Sequence, residues 1–235
     1  MLLKSNRLKY FYHQNHPTLE KLIKRIIIAD DHAVVRTGLQ LILDETSDMC
    51  ICDEASNGYE LLEKLRSNKY DLVILDISMP GKDAMDVLKE IKTTWERMPV
   101  VIFSMNPDDV YAVRMIRNGA SAYINKETQP QQIVEILRTV LLGKKYFTQQ
   151  QSAMLAELVI EPEKNVGSLL HETLSDREFQ IFFMLASGMK KSEIAEKLAI
   201  SKHTVGNHRS NIMHKMKLET NSELTRYAIH HGIIK

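Results

Sequence analysis

The sequence has few cysteines, no long apolar run and almost no excess charge of either sign. Cys50 and Cys52 form a single C-x-C, which is too little for a disulfide scaffold and lacks the second ligand pair of a zinc site. Apolar runs such as RIIIA and DLVILDI fall far short of the roughly 20 residues in a membrane span. We therefore expect two ordinary thiols in a cytoplasmic protein that does not enter the membrane.

The chain is long enough for two domains. It has 235 residues, and domains cluster near about 100 to 150 residues. The net charge of +1 hides an asymmetry: residues 25–143 carry 13 basic and 19 acidic side chains, a net −6, whereas residues 172–235 carry 10 and 7, a net +3. An acidic half suits a cation site, and a mildly basic half with five histidines suits a polyanion.

The first half alternates short apolar runs with helical segments. The runs are RIIIA, MCICDEA, DLVILDI, PVVIFS and SAYI. This alternation predicts an α/β fold with an open, doubly wound sheet of five parallel strands, and ligands in such sheets lie at the carboxyl ends of the strands. From Thr173 onward the sequence predicts only helices, separated near Gly188, Ile200 and Thr220.

These patterns divide the chain into four segments. We predict an N-terminal extension of unknown role at 1–24, an α/β domain at 25–143, a linker at 144–172 and a small all-α domain at 173–235.

Polar side chains follow four of the five predicted strands. Asp30 and Asp31 follow the first strand and Asp76 ends the third, while Ser104 ends the fourth and Lys126 follows the fifth. Carboxylates at one sheet edge repel one another unless a cation neutralises them, and their oxygens favour Mg²⁺. One carboxylate could then accept a phosphoryl group whose oxygens pair with the hydroxyl and the ammonium.

Three stretches carry a family resemblance: IIIADDHAVVRTGLQLIL, LVILDISMPGKDAMDVLKEIK and FSMNPDDVYAVRMIRNGASAYINK. They closely resemble response-regulator receivers of the NarL/FixJ class, which have a flavodoxin-like fold. The resemblance implies that Asp76 accepts phosphate from a sensor histidine kinase. It also implies that Asp30, Asp31, Asp76 and the backbone carbonyl of Ser78 hold Mg²⁺.

The same resemblance implies a switch. Lys126 and Ser104 would grip the phosphate, Ser104 would move toward it, and Tyr123 on the fifth strand would turn inward; an ordinary half-exposed strand aromatic is the alternative for Tyr123. Ala84 departs from the family, which usually has glycine there. Ser78 and Asn106 occupy variable positions that tune the phosphate lifetime in the family.

The run KSEIAEKLAISKHTVGNHRS predicts two short helices that meet at a tight turn near Ile200. Apolar residues such as Val205, Ile212 and Met216 can bury the second helix against the first and leave its polar face free. Periodicity alone leaves this face open to two interpretations, a protein-interaction module or a DNA-binding surface.

The run from LSDREFQIFFML to RYAIHHGII strongly resembles LuxR-type DNA-binding domains over its whole length. The resemblance implies a helix-turn-helix with a scaffold helix at 192–199, a recognition helix at about 202–216 and a dimerising helix near 221–231. Gly206 departs from the family, which usually has a long side chain there. The implied phosphate contacts are Lys202, Thr204, His208 and Lys215, and the residues implied to approach bases are Val205, Asn207 and Asn211.

These patterns together predict a two-component response regulator that regulates transcription. A histidine kinase would phosphorylate Asp76 with Mg²⁺, and the phosphorylated chain would bind a double-stranded DNA operator as a homodimer. We expect no turnover enzyme, because the chain would only accept and slowly hydrolyse its own aspartyl phosphate. The alternatives are an aspartyl-phosphate phosphatase, against which the lack of a substrate-pocket motif in the second half argues, and a phosphate-dependent protein-interaction adaptor.

Overall fold

The computed structural model describes residues 23–105, 109–160, 170–198 and 200–234. Most of the predicted extension at 1–24, the position of Asn106 and part of the predicted linker lie outside these ranges. The described residues divide into two units, one within 1–105 and 118–146 and the other within 106–117 and 147–235.

The first unit is built on one parallel sheet. Its strands are β1 (Lys24–Ala29), β2 (Met49–Ala55), β3 (Leu72–Asp76), β4 (Val100–Ser104) and β5 (Ala122–Asn125). They lie in the order β2-β1-β3-β4-β5, and each neighbouring pair is parallel. The predicted five-stranded parallel sheet is therefore confirmed. Because successive connections leave β1 and β3 in opposite directions, a crevice opens where these two strands end.

Helices cover both faces of this sheet. In chain order these helices are α1 (Ala33–Asp44), α2 (Gly58–Ser67), α3 (Ala84–Thr94) and α5 (Pro130–Leu141), whereas α4 (Asp109–Arg117) is grouped with the second unit. Alternation along β1 sends Ile26 and Ile28 into a core with Leu39 of α1 and Leu137 of α5. Ile27, fully buried, points to the opposite face, which α2 and α3 cover. This arrangement confirms the doubly wound architecture.

Local side-chain contacts determine where helices begin beside the crevice. The Asn57 side chain accepts the backbone N–H of Glu60 at 3.0 Å at the start of α2. Asp83 accepts the N–H of Met85 at 2.8 Å at the start of α3, whose first residue is the buried Ala84. Such caps satisfy backbone donors that the helix itself cannot pair. They fix the residues at which α2 and α3 begin.

The second unit is helical, as predicted for the C-terminal part of the chain. After α6 (Gln149–Ile160) and a short 3₁₀ turn (Leu170–Thr173), its helices are α7 (Asp176–Ala186), α8 (Lys191–Lys197), α9 (Lys202–Met216) and α10 (Asn221–His230). Phe179, Ile194, Val205, Ile212 and Leu224 are all fully buried in its core. Ser175, Ser201 and Thr220 cap α7, α9 and α10 through their side chains.

Helix α4 is grouped with the second unit. Arg114 donates to the carbonyl of Leu174 at 2.6 Å, and its guanidinium lies 4.9 Å from the centre of the Phe179 ring. The ring of Tyr111 stacks on Phe179 at 5.6 Å. The two units therefore divide the chain differently from the domain bounds that we read from the sequence, and those bounds remain a prediction.

No helix in the described ranges combines the length and apolar character needed to cross a bilayer. Both cysteines have free thiols, with Cys50 buried and Cys52 partly exposed.

Gly58 lies where α2 packs closely against α3. A Cβ atom placed there would lie 2.6 Å from Cγ2 of Val87, so we expect Gly58→Ala to destabilise the first unit by about 1 to 3 kcal/mol through overpacking. Gly38 of α1 is the matched control, because a Cβ there meets no atom within 4 Å. Gly38→Ala should stabilise the helix by about 0.5 to 1 kcal/mol.

Urea unfolding followed by the fluorescence of Trp95, the single tryptophan of the chain, measures both changes in the first unit. Equal urea midpoints for the two variants would contradict the prediction, because they would show that α2 and α3 can move apart without loss of stability.

Candidate functional site

The carboxyl ends of β1 and β3 bring together an acidic cluster. Asp30 directly follows β1 and Asp76 is the last residue of β3, and both are only 1% exposed. With the adjacent Asp31 and His32 they offer ligand atoms that all lie within 4.8 Å of one another. The three aspartates predicted to meet at one edge of the sheet therefore do meet there.

Lys126, just after β5, reaches into this cluster. Its Nζ lies 2.5 Å from Oδ2 of Asp30 and 3.1 Å from Oδ2 of Asp76, and its side chain is 5% exposed. The backbone N–H of Lys126 donates to the carbonyl of Ser104 at 2.8 Å, which ties the end of β5 to that of β4. Lys126 follows Asp30 by 96 positions in the sequence, and it places a buried positive charge against the acidic cluster.

The two buried carboxylates have different hydrogen-bond partners. Asp30 Oδ1 accepts the N–H of His32 at 2.8 Å, while Oδ2 accepts the ammonium of Lys126. Asp76 Oδ1 accepts the N–H of Ser78 at 3.2 Å, but the buried Oδ2 accepts no hydrogen bond from the described residues. Asp76 is therefore the less fully paired of the two.

Burial dominates the ionisation of Asp76. Desolvation raises its pKa above the ordinary aspartate value of 3.8, the charge of Lys126 lowers it, and the charge of Asp30 raises it again. Buried carboxylates behave in this way when their compensating charge is incomplete. The protonated form of Asp76 is thus favoured more strongly in the folded chain than in the unfolded one.

The donor set fits a hard divalent cation. The three carboxylates exceed the single ammonium by two negative charges, and one buried oxygen of Asp76 has no hydrogen bond from the described chain. Mg²⁺ prefers carboxylate oxygens and keeps several ligand positions for water or phosphate. Asp30, Asp31 and Asp76 are therefore suitably placed to hold such an ion.

Ser104 and Tyr123 occupy the strands beside this cluster. Ser104, the last residue of β4, is 1% exposed, and Tyr123 of β5 is 4% exposed and pairs in register with Ile102. Tyr123 is thus buried rather than half-exposed. The movements predicted for both residues remain predictions.

The second candidate site is the exposed face of α9. Lys202, Asn207, Asn211 and Lys215 are exposed on it, and Thr204 and His208 are half-buried. Val205 is fully buried in the helical core. Our expectation that Val205 approaches bases therefore conflicts with its position, because the same apolar side chain packs α9 against its neighbours.

Two of the expected phosphate contacts already have partners within the second unit, and a third is desolvated. Lys215 Nζ lies 2.6 Å from Oε2 of the buried Glu178. Thr204 Oγ1 lies 2.8 Å from the capping hydroxyl of Ser201. Desolvation, helped by the charge of Arg177, lowers the pKa of His208, so its imidazole is neutral at neutral pH.

Comparison with known families now adds to this geometry. Residues 26–138 match the response regulator receiver domain, and residues 172–228 match the LuxR family of bacterial regulatory proteins. The oxygen regulatory protein NreC of Staphylococcus carnosus is 37% identical over 212 residues, which cover 87% of this chain and 96% of NreC.

This chain belongs to the response-regulator family. The response regulator UvrY of Escherichia coli is 31% identical over 208 residues, covering 88% of this chain and 94% of UvrY. This response regulator is therefore a DNA-binding transcription regulator with a receiver and a LuxR-type helix-turn-helix, as the sequence predicted.

Solved structures agree on the fold. An RcsB response regulator of Salmonella typhimurium matches with a TM-score of 0.63 at 22% identity, covering 87% of this chain and 96% of that chain. RcsB from Salmonella enterica serovar Typhimurium bound to promoter rprA matches with a TM-score of 0.60 at 22% identity, covering 87% and 98%. At this identity the likeness concerns the fold alone.

Two residues of the response regulator's acidic site were missed at the level of sequence. His32 places Nδ1 2.9 Å from Oδ1 of Asp31. Arg36, one turn into α1, donates from Nη1 to the carbonyl of Asp30 at 2.7 Å and from Nε to Glu54 at 2.6 Å. The spacing of Arg36 from the aspartate pair is a weak signal, since an arginine there could equally face solvent.

Asp76→Asn should stabilise the response regulator in the absence of Mg²⁺. Because the pKa of Asp76 is raised on folding, its ionisation removes stability as the pH rises from the unfolded value through the folded one. The neutral amide avoids this loss, and we expect a gain on the order of 1 kcal/mol at neutral pH. Chemical unfolding in a chelator measures it, and added Mg²⁺ should stabilise the wild type more than the variant.

Asp48→Asn is the control of opposite sign. Hydrogen bonding to Arg138 lowers the pKa of Asp48, so its stabilising effect is present above the unfolded pKa and is lost as the pH falls. This variant should lose stability at neutral pH and respond to Mg²⁺ as the wild type does. If Asp76→Asn were less stable than the wild type in the chelator, the inference that ionised Asp76 destabilises the folded chain without Mg²⁺ would be wrong.

Proposed function

We propose that phosphorylation of Asp76 by a sensor histidine kinase switches this response regulator between two DNA-binding states. The observation that carries the proposal is the incomplete pairing of Asp76. Its buried Oδ2 has the ammonium of Lys126 3.1 Å away but accepts no hydrogen bond from the described chain. An ionised oxygen in this setting is a nucleophile with a cation beside it.

The transfer requires little more than positioning. A carboxylate oxygen of Asp76 forms a bond to phosphorus while the bond from phosphorus to the kinase's histidine nitrogen breaks, and that nitrogen keeps the electron pair. Lys126 and the Ser104 hydroxyl would pair with the phosphoryl oxygens. Asp30, Asp31, Asp76 and the Ser78 carbonyl would hold Mg²⁺, which when bound neutralises charge on those oxygens.

The phosphoryl group then changes the contacts that Lys126 makes. In the unphosphorylated chain its ammonium is held by Asp30 and Asp76. A phosphoryl group on Asp76 offers it a stronger charge-assisted partner, and Ser104 with Tyr123 would follow as the bistable element. Water slowly hydrolyses the aspartyl phosphate and returns Asp76 to its free carboxylate. The chain therefore hydrolyses only its own phosphoryl group and turns over no external substrate.

DNA binding benefits from pairing two chains. Residues 172–235 carry a net charge of only +3, and a single weakly basic domain binds DNA poorly at physiological salt. Ile229 on α10 is 54% exposed and offers an apolar contact for a second copy. Joining two domains raises affinity through effective concentration. In this proposal the homodimer acts in the cytoplasm on a two-part double-stranded operator.

Phosphorylation is tested with acetyl phosphate and Mg²⁺. We expect the mass of the wild-type chain to rise by one phosphoryl group, the dimer fraction to increase, and operator binding to strengthen. Asp76→Asn should show none of these changes, because the amide is not a nucleophile. Intact-mass spectrometry, light scattering and gel shift on a selected operator measure the three effects.

Asp71→Asn is the matched control, since Asp71 precedes β3 at the opposite end of the sheet and pairs with Lys24 at 3.1 Å. It should be phosphorylated like the wild type. A wild-type mass that stays unchanged would refute the proposal. Steady release of phosphate from small monoesters would point instead to a phosphatase, and the absence of any operator footprint to an interaction adaptor.

A further inference from the structure

The centre of the exposed face of α9 has no permanently charged side chain. Its exposed residues between the two ends of the helix are His203, Asn207, Ser210, Asn211 and His214. A recognition helix in a major groove presents such residues to base edges. This face therefore offers amides, a hydroxyl and imidazoles where many DNA-reading helices offer arginine or lysine.

Two other cations of α9 have partners elsewhere in the second unit. Arg209 donates from Nε to Oδ1 of Asn221 at 2.7 Å, and the ammonium of Lys215 lies 2.6 Å from Glu178. Arginine and lysine are the usual partners of guanine O6 and N7. The exposed residues at the centre of the face therefore offer no guanidinium or ammonium to guanine.

Asn207 and Asn211 stand one helical turn apart on this face. An amide donates and accepts at once, which matches N6 and N7 of adenine. The Asn211 side chain makes no hydrogen bond with the described chain, and Asn207 Nδ2 has only a long 3.4 Å contact with Nδ1 of His203. Four residues advance about 6 Å along a helix, the span of about two base-pair steps.

Gly206 leaves room beside these amides. A Cβ atom placed there would meet nothing within 4 Å, so the surface next to Asn207 is open. A glycine in a helix costs stability relative to alanine. Its effect here is that no side chain at this position competes with the asparagines for the bases or for phosphate.

We propose that Asn207 and Asn211 are the specificity-determining residues of the second unit and select half-sites with adenines about two base-pair steps apart. The inference rests on the proposed DNA-binding function of α9 and deepens it by naming the bases. The operator is thus recognised through neutral amides, and the phosphate backbone is contacted from Lys202 at the helix start.

Selection from random double-stranded DNA tests the assignment. The full chain, treated with acetyl phosphate and Mg²⁺, should enrich half-sites with adenines at two positions. Asn207→Ala and Asn211→Ala should each relax one of these positions, reducing discrimination there by about 5- to 150-fold. Their affinity for unrelated DNA should stay unchanged, which also shows that the variants fold.

Three further variants serve as controls. Asn68→Ala removes an exposed asparagine of the first unit and should change nothing. Lys202→Ala should weaken binding to all sequences alike and reduce the salt slope by about one. Gly206→Lys should strengthen binding to all sequences and steepen the slope by about 0.9, with the adenine preference retained.

The outcomes separate this inference from the proposed function. Enriched sites with guanine at the two positions, or asparagine variants that keep the wild-type preference, would overturn the base assignment while DNA binding stands. Failure of the wild-type chain to bind any DNA, with or without acetyl phosphate, would overturn the proposed function and this inference together.

Discussion

The buried contact among Lys126, Asp30 and Asp76 is the constraint on which the rest of the structure depends. One ammonium lies 2.5 Å and 3.1 Å from two carboxylates that are each 1% exposed. Removing such charges from water is costly, and one cation does not compensate two anions. The site is therefore poised to accept further positive charge, or a phosphoryl group that redistributes the contacts of the lysine.

The sheet order makes this contact unavoidable. β1 and β3 are neighbours although β2 lies between them in the chain, so Asp30 and Asp76 emerge side by side. The N–H of Lys126 pairs with the carbonyl of Ser104, which holds β5 in register with β4 and aims the lysine across the crevice. Arg36 secures the carbonyl of Asp30 from α1. Contacts from β4, β5 and α1 thus hold the acidic cluster in place.

In the helical unit, unlike the acidic site, the charged groups near α9 are largely compensated by partners. Its cations near α9 are drawn into contacts such as the 2.6 Å pair of Lys215 and Glu178, which helps hold α9 against α7. This leaves the centre of the face without a permanent charge, which limits its attraction for a polyanion. In the proposed function one copy binds weakly, so the DNA affinity depends on pairing of two copies, which is the step that phosphorylation would control.

Strand ends and helix periods were predictable for a common physical reason. β-rich runs followed by Asp, Ser or Lys define the edge of a parallel sheet, so the meeting of Asp30, Asp76 and Lys126 followed from local patterns. Val205 shows where prediction from local patterns fails. The sequence assigned it both to the core and to the bases, and only packing decided, because one rotation of α9 cannot serve both positions.

By itself the sequence determined the architecture, the acidic strand ends and the two short helices that meet at a tight turn in the second half, because hydrophobic periodicity and residue order are local properties. The tertiary structure alone decided which polar groups remain available. Lys215 is engaged by Glu178, His208 is desolvated beside Arg177, and Asp76 keeps an oxygen without a hydrogen bond in the described chain. These outcomes depend on which distant side chains arrive within a few ångströms, and no local pattern records that.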